Sequence, residues 1–492
     1  MNKQLSIILI FLVSLVVSSQ SVVTNKTKQP VAKQELDIYS AGDTTYLGHE
    51  SKNSFSHPSQ NMPMTKRAEF LMGDSLFHRA WVSSPSSVTA SDGLGPMFSA
   101  RACSSCHVKD GRGHLPMTGD TTTRSVIVKL SQRISADILT KSHKEKKLAV
   151  VAPEPTYGWQ FHDRSHPGVP SEGHFEIVFD HKMISGSAKK LKRPRAVFRD
   201  LNYGPMVPDV TVSLRVAPPM IGLGLIEAIS VDEIALRDDP HDLDGDGISG
   251  RMSLLSPHNY HKEIIIGRFG WKASQPSLSR QNLTAFFMDM SMTSVLHKPS
   301  AGDCTHKQTA CISRAQAAVK DSVASDGHDI SGTMADLILF YTQNLAPPKR
   351  LIAADHLEQQ QILAGENIFY EIGCESCHRA HYKTSSNYSL KHLSSQEIFL
   401  YSDLLLHDMG PGLDDGYHEP HAYSYEWRTP PLWGLGYTKL INPKAGFLHD
   451  GRAQTIEEAI LWHGGEAQAA QKSFTELSPK NRASLIHFLE SL

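Results

Sequence analysis

The chain is poor in cysteine, with six among 492 residues and none before Cys103. It also lacks a dominant charge. Lys and Arg number 49 against 51 Asp and Glu, a formal net charge of -2, so the bulk charge gives no reason to expect nucleic acid as a partner. Long apolar runs are missing too. Leu5–Val17 stands out, but its 13 residues are too few to cross a bilayer. Lys3 precedes it and the small residues "VSSQS" follow, which is the layout of a secretory signal peptide cleaved after Ser19 or Ser21. An unstructured or membrane-tethered N-terminus is the competing reading. The expectation is an exported, periplasmic protein that loses residues 1–21 and keeps no membrane span. Residues 22–60, rich in Thr, Lys, Ser and Gln, are expected to be an exposed lead-in.

Six cysteines in an exported protein would by default form three disulfides. Their placement argues otherwise. "RACSSCHVKDGRGH" sets Cys103, Cys106 and His107 in a C-x-x-C-H frame, and "YEIGCESCHRA" repeats it with Cys374, Cys377 and His378. With six Cys and 26 His in the chain, composition alone predicts roughly 0.004 such pentapeptides, so two are not chance. The chemistry that needs this spacing is attachment of c-type haem. Two thiols add to the two vinyl groups of one porphyrin, and the adjacent His takes the iron as proximal ligand. A redox C-x-x-C pair or half of a zinc site would not require His in the same place twice. Two covalently bound c-type haems are therefore expected. Cys304 and Cys311 in "DCTHKQTAC" remain, and a local disulfide is expected there, with His306 on the surface.

A chain this long exceeds one ordinary core. "ILAGENIFYEIGCESCH" places Ile362, Gly365, Ile368, Phe369 and Ile372 on one helical face before the second haem site. "FLMGDSLF" places Gly73, Leu76 and Phe77 in matching positions before the first, with a further 21 residues that include "SDGLGPMFSA", a glycine-rich loop expected to wrap the haem edge. "RSVIVKL", "HFEIVFDH" and "VTVSLRV" read as short strands, and "MIGLGLIEAI" starts a helix near Leu225. Thr455 with Glu458 makes a capping box, and Ser478-Pro479 opens a final helix with Leu485, Ile486, Leu489 and Leu492 on one face. The fold class expected is mainly α: two cytochrome c-like haem domains, 61–345 and 346–492, the first carrying a β-containing insertion.

"DDPHDLDGDGISGR" puts Asp242, Asp244 and Asp246 at alternate positions before Gly247. Such carboxylates can converge on calcium, but Ser253 stands where an EF-hand needs its bidentate acid. A divergent calcium loop and a solvated acidic turn both remain open. The far-side haem ligands stay open as well. Met409, His449 and His407 are candidates at the C-terminal haem, His114 and Met117 at the N-terminal one.

Several stretches together resemble the di-haem oxidoreductases related to the bacterial di-haem cytochrome c peroxidases. They are "DGLGPMFSARACSSCHVKDGRG", "APPMIGLGLIEAI", "DLDGDGISGR", "GRFGWKASQPSLSRQNLTAFFMDMSMTS", "LLLHDMGPGLDD" and "WRTPPLWGLG" with "FLHDGRAQTIEEAILWHGGEA". The resemblance runs from about residue 40 to the end. It implies that Trp271 carries electrons between the haems, and that Gln281 and Asp289 face the peroxide side of the N-terminal haem. The peroxidases usually have glutamate and a longer gap where this chain has Asp289. The activity implied is reduction of hydrogen peroxide, or peroxide-driven oxidation of a partner, with a small cytochrome c or copper protein as redox partner. The alternative is a non-catalytic di-haem electron-transfer cytochrome. Mass spectrometry of the mature protein made with an intact haem-ligation pathway should give the apoprotein mass plus two haem groups; free or cross-linked thiols in both C-x-x-C-H segments would end the haem reading.

Overall fold

The computed structural model describes residues 38–84, 86–88, 91–116, 125–133, 151–183, 190–255, 265–318, 327–351, 353 and 355–492. The signal-peptide expectation and Met117 lie outside these residues. Six helices organise the chain: α1 (Arg67–His78), α2 (Leu278–Met290), α3 (Gly332–Asn344), α4 (His356–Glu371), α5 (Ile456–Leu461) and α6 (Pro479–Ser491). Five of them begin where the sequence supplies a capping side chain. Ser277 accepts from Arg280 N–H, Ser331 from Met334, Asp355 from Leu357 and Glu358, Thr455 from Glu458 and Ser478 from Asn481, which satisfies amide groups that a helix start leaves orphaned.

The helices cross in two matched pairs, each with one helix preceding a C-x-x-C-H segment: α4 ends three residues before Cys374, and α1 ends 25 residues before Cys103. α1 packs on α3 at Gly73, where an added Cβ would lie 2.3 Å from the Leu337 carbonyl oxygen. α4 packs on α6 at Gly365, where a Cβ would lie 1.9 Å from the Ser484 carbonyl oxygen. Only glycine lets two helix backbones approach this closely. One turn later an aromatic residue fills each crossing: Phe77 against Tyr341 at 5.3 Å between ring centroids, and Phe369 against Phe488, also at 5.3 Å. On α6 the buried stripe is Ser484, Leu485, Phe488 and Leu489, with Ile486 only partly covered.

The strands form two-stranded sheets among the described residues. β1 (Val126–Gln132) alternates buried and half-buried residues and pairs antiparallel with β4 (Val210–Val216), Val126 opposite Val216. Between them, β2 (His174–Met183) and β3 (Lys190–Arg199) make a ten-residue antiparallel hairpin with Pro194 opposite Phe179. The class is thus mixed rather than mainly α, with 33% helix and 19% strand. Sequence patterning misses β3 because "KLKRPRAVFR" combines a proline with five cations. A strand with one free edge tolerates both.

Two local expectations need correction. Residues 22–37 lie outside the described residues, and 38–60 are only partly exposed: Ala41, Thr44 and Phe55 are buried while Tyr39, Leu47 and Glu50 are exposed, and the segment is tied down by Tyr46 N–H to Pro347 O (2.9 Å) and Ser59 N–H to Asn344 O (2.8 Å). Ala100 of "SDGLGPMFSA" lines the space beside the first C-x-x-C-H segment, while the glycines of that stretch pack on protein. Gly93 packs on Asp329 and Gly95 on Ser291, with Gly95 N–H bonded to Met290 O at the end of α2. Ile38–Leu492 form one unit, whose core runs across position 345 through Phe55, Ile226, Phe269, Leu400, Trp433 and Ile441. Replacing Gly365 by Ala forces α4 and α6 apart and should cost roughly 1–3 kcal/mol. Urea unfolding, with the exposed Lys472→Ala as a neutral control, measures this.

Candidate functional site

Each C-x-x-C-H segment opens into its own cavity. The first, of 170 Å³, takes in Cys103, Cys106 and His107; the second, of 370 Å³, takes in Cys374, Cys377 and His378. None of these four cysteines is in a disulfide, and burial pushes the Cys103 and Cys374 thiols up to about 12. The histidines are placed alike. His107 Nδ1 lies 2.8 Å from the Pro218 carbonyl oxygen and His378 Nδ1 lies 2.9 Å from that of Tyr401. Burial lowers both pKa values to about 4, so each ring is neutral at pH 7. The carbonyl accepts a hydrogen bond from Nδ1–H, which leaves the Nε2 lone pair for a metal. Two thiols and one such imidazole at the mouth of an apolar cavity fit a porphyrin.

One wall is common to both cavities. Trp271, Arg112, Arg428, Pro430 and Pro431 line each of them. The Trp271 indole N–H donates to Val216 O (2.9 Å), and the Arg112 guanidinium stands 5.5 Å from the ring centre. Arg428 bonds back to the same turn through its N–H to Trp271 O (3.0 Å) and its Nε–H to Gly270 O (3.1 Å). Burial lowers both arginines to about 10, and among the described residues neither has an ion-paired carboxylate. Uncompensated buried cations are costly, and the acid groups on a porphyrin's edge would compensate them.

Gln281 and Asp289 lie on α2 and line the first cavity. Asp289 Oδ1 accepts from Gln160 Nε2 at 2.8 Å, and Gln160 also donates to Ser99 Oγ at 3.0 Å. The Asp289 carbonyl takes the Ser99 and Ala100 N–H groups, which fixes α2 to the strand of chain leading into Cys103. Burial raises the Asp289 carboxyl above the usual aspartate range, opposed by the Gln160 hydrogen bond.

Of the candidate far-side ligands, Met409 and His449 do line the second cavity. His449 is buried and stacked on Trp427 at 3.6 Å. His407 lines it as well, but both its nitrogens are engaged: Nε2 is 2.8 Å from Asp403 Oδ2 and Nδ1 is 2.6 Å from Glu466 Oε2. His114 lines neither cavity; its Nδ1 sits 3.1 Å from Asn442 Nδ2. Sequence reasoning missed His463, which repeats the His107 and His378 pattern with Nδ1 2.8 Å from Ala459 O in the second cavity. It missed Arg112, Arg428 and Gln160 too. Each arginine has an acid two residues earlier in the chain, Asp110 and Glu426, and only the fold shows those acids bonded elsewhere, Asp110 to Ser56 and Tyr341 and Glu426 to Arg251.

The carboxylates of Asp242, Asp244 and Asp246 come within 4.8 Å of one another. The loop also bonds to itself, Gly247 N–H to Asp242 Oδ1 (3.1 Å) and Ile248 N–H to Asp246 Oδ1 (2.9 Å), the pattern of a turn built on aspartates. Cys304 and Cys311 form a disulfide with Cα atoms 6.5 Å apart, and His306 is exposed.

Burial works against a charge on His407, but the Asp403 charge and the hydrogen bonds around the ring outweigh it and hold its pKa well above the ordinary value. A raised folded-state pKa stabilises fully below the unfolded pKa of about 6.5, and that contribution fades as pH rises through the folded value. His407→Ala, leaving two buried carboxylates without their cation, should cost roughly 3–5 kcal/mol. It should leave the haem absorption bands of the folded protein unchanged. A lost low-spin band would make His407 a ligand after all.

No helix among the described residues is long and apolar enough to cross a membrane. No curated protein matches the chain. A solved structure of Kuenenia stuttgartiensis hydrazine synthase pressurised with xenon aligns at 14% identity over 54% of this chain and 88% of its own, with a TM-score of 0.22, too low to carry any argument. The model of the family described as "di-haem oxidoreductase, putative peroxidase" matches residues 36–176 and 201–492. By a match over nearly its whole length, and with two C-x-x-C-H cavities sharing one tryptophan wall, the chain belongs to the di-haem oxidoreductase family.

Proposed function

We propose that this di-haem oxidoreductase is an exported c-type enzyme that reduces hydrogen peroxide, or uses it to oxidise a partner, with electrons passing between its two haems. The observation that carries the proposal is the content of the first cavity: His107, Asp289 and the shared Trp271 face one space. Haem, held through Cys103, Cys106 and His107 at one site and Cys374, Cys377 and His378 at the other, would supply iron that changes its oxidation state and can bind a small oxidant.

The chain's own residues then have separate tasks. The Pro218 carbonyl holds the His107 ring in one tautomer and keeps Nε2 unprotonated. Asp289 is the acid-base group. Peroxide cleavage needs a proton moved from one oxygen to the other, and a carboxyl whose pKa is raised by burial can take and return it. Gln160 aims that carboxylate through its 2.8 Å bond. Gln281 stands beside Gly270 and can hold the oxidant's outer oxygen. The wall around Trp271, Pro430 and Pro431 keeps bulk water from the space between the two sites. The electron donor in this proposal is a small cytochrome c or copper protein.

Asp289→Asn should lower kcat for peroxide by roughly 10²–10⁴. In the parent, activity should rise with pH through a carboxyl pKa above the ordinary aspartate value, because the ionised form is the one that accepts the proton. That limb should vanish in the variant. Absorption spectra of oxidised and half-reduced protein, before and after peroxide, supply the decisive check: two six-coordinate irons indifferent to peroxide in every redox state would leave only the electron-transfer reading.

A further inference from the structure

The family match is interrupted once inside the chain, from 177 to 200. That gap coincides with most of the β2–β3 hairpin. The hairpin's composition departs from the rest of the molecule. Its two strands carry Lys182, Lys190, Lys192, Arg193, Arg195 and Arg199 against Glu176 and Asp180, while the whole chain is slightly acidic. All six cations are exposed. The two ion pairs that the carboxylates make, Arg195–Asp180 at 3.5 Å and Arg199–Glu176 at 3.9 Å, have side chains about 60% exposed and so neutralise little.

The hairpin is anchored at two places. At its root Phe175 and Phe198 pack on Phe161, with ring centroids 6.2 and 4.9 Å away. Along its length it leans on the rim of the second cavity. Arg193 donates to the Asp414 carbonyl (2.6 Å), next to Leu413, which lines that cavity. Lys182 Nζ lies 5.5 Å from the ring centre of Trp462, whose neighbour His463 lines it too. A ribbon that contacts this rim while turning its remaining cations outward is placed to hold something anionic close to one redox site.

We propose that the β2–β3 hairpin is a docking arm for a small acidic electron-carrying protein, which it seats beside the C-terminal cavity. The inference rests on the di-haem oxidoreductase reading above and names the surface and the charge of the partner that reading requires. An acidic protein fits better than an anionic membrane. The cations run along the length of β3 from Lys190 to Arg199, with Lys182 on β2 beside them, and Phe179, an aromatic within the ribbon, has Lys192 5.8 Å from its ring centre.

The test compares the holoprotein with a triple variant, Lys190→Glu, Lys192→Glu and Arg195→Glu, and with the milder Gln series at the same positions. None of these residues lines a cavity. Stopped-flow reduction by a small acidic cytochrome c should slow by about ten- to a hundredfold in the Glu variant at low ionic strength. The Gln series should fall between, and the difference should shrink in high salt. Reduction by a strongly basic cytochrome c should speed up or stay level, and reduction by the uncharged tetramethylphenylenediamine should be unaltered. An unchanged rate with the acidic donor overturns the proposal, as does an equal loss with the uncharged one. Binding to phosphatidylglycerol vesicles that the Glu variant loses, with the acidic cytochrome rate unmoved, would assign the arm to a membrane instead. If the protein shows no reducible haem bands, the underlying reading fails; two reducible haems with arm-independent rates sink the arm alone.

Discussion

A neutral imidazole presents one lone pair, and in this protein a main-chain carbonyl decides which nitrogen carries it. Pro218 O makes that choice for His107, and Tyr401 O for His378. The first carbonyl lies in a short stretch of backbone that fixes more than one ring. Two residues before it, Val216 gives its carbonyl to the Trp271 indole and its N–H to the carbonyl of His449. Two residues after it, Met220 N–H binds the Asp110 carbonyl, just beyond the first C-x-x-C-H. Pro218 and Pro219 between them have locked φ and no N–H, so the stretch cannot rearrange into a helix or sheet of its own. One five-residue segment therefore sets the proximal histidine of one cavity, the shared tryptophan and the loop that brings His449 to the other.

The wall between the cavities raises a charge problem that points in the same direction. Arg112 and Arg428 are buried, and burial lowers both pKa values only to about 10, so both remain charged at neutral pH. Some buried cations of this chain meet acids, as Arg215 does at 3.6 Å from Asp415 and 3.4 Å from Glu419 and Arg452 at 2.7 Å from Asp450, whereas Lys272 bonds to the Tyr423, Ser424 and Glu426 carbonyls. The two wall arginines likewise bond to carbonyls, Leu448 O for Arg112 and Gly270 O for Arg428. Carbonyls offer a dipole rather than a full counter-charge, and among the described residues no carboxylate pairs with either arginine, so an anionic group in the space they face would compensate them.

Much of this was legible in the sequence, and the division follows physical lines. Signals that act over a few residues survived: the Thr455 and Ser478 caps, the alternation in β1 and β4, the Gly-aromatic stripe before Cys374, the Cys304–Cys311 pair. Each is decided by local geometry. What needed the fold was whatever depends on partners far away in the chain. Residues 38–60 look solvated by composition, yet their backbone groups bond to residues near 345. Arg112 follows Asp110 by two residues in the sequence, and only the fold shows that Asp110 bonds to Ser56 and Tyr341 and that no carboxylate among the described residues pairs with Arg112. His463 resembles any histidine just past a short helix until its ring is seen to repeat the His107 arrangement. β3 was hidden for a different reason: its proline and cations would break a central strand and are harmless on a free edge.

The same edge explains why the charge of the hairpin is not cancelled by the acidic remainder of the chain. A ten-residue strand extends over roughly 33 Å, several times the screening length of about 8 Å at physiological ionic strength. Carboxylates on other parts of the surface are largely screened from it, so the net charge of -2 says little about what an approaching molecule meets there. The residues that form both cavities fall inside the family match, while the cationic part of the ribbon falls in its gap. Changes confined to such an arm alter which surfaces are attracted without disturbing the caps, glycine crossings and carbonyl–imidazole bonds that position the chemistry. That separation lets one oxidoreductase frame be matched to a partner of chosen charge.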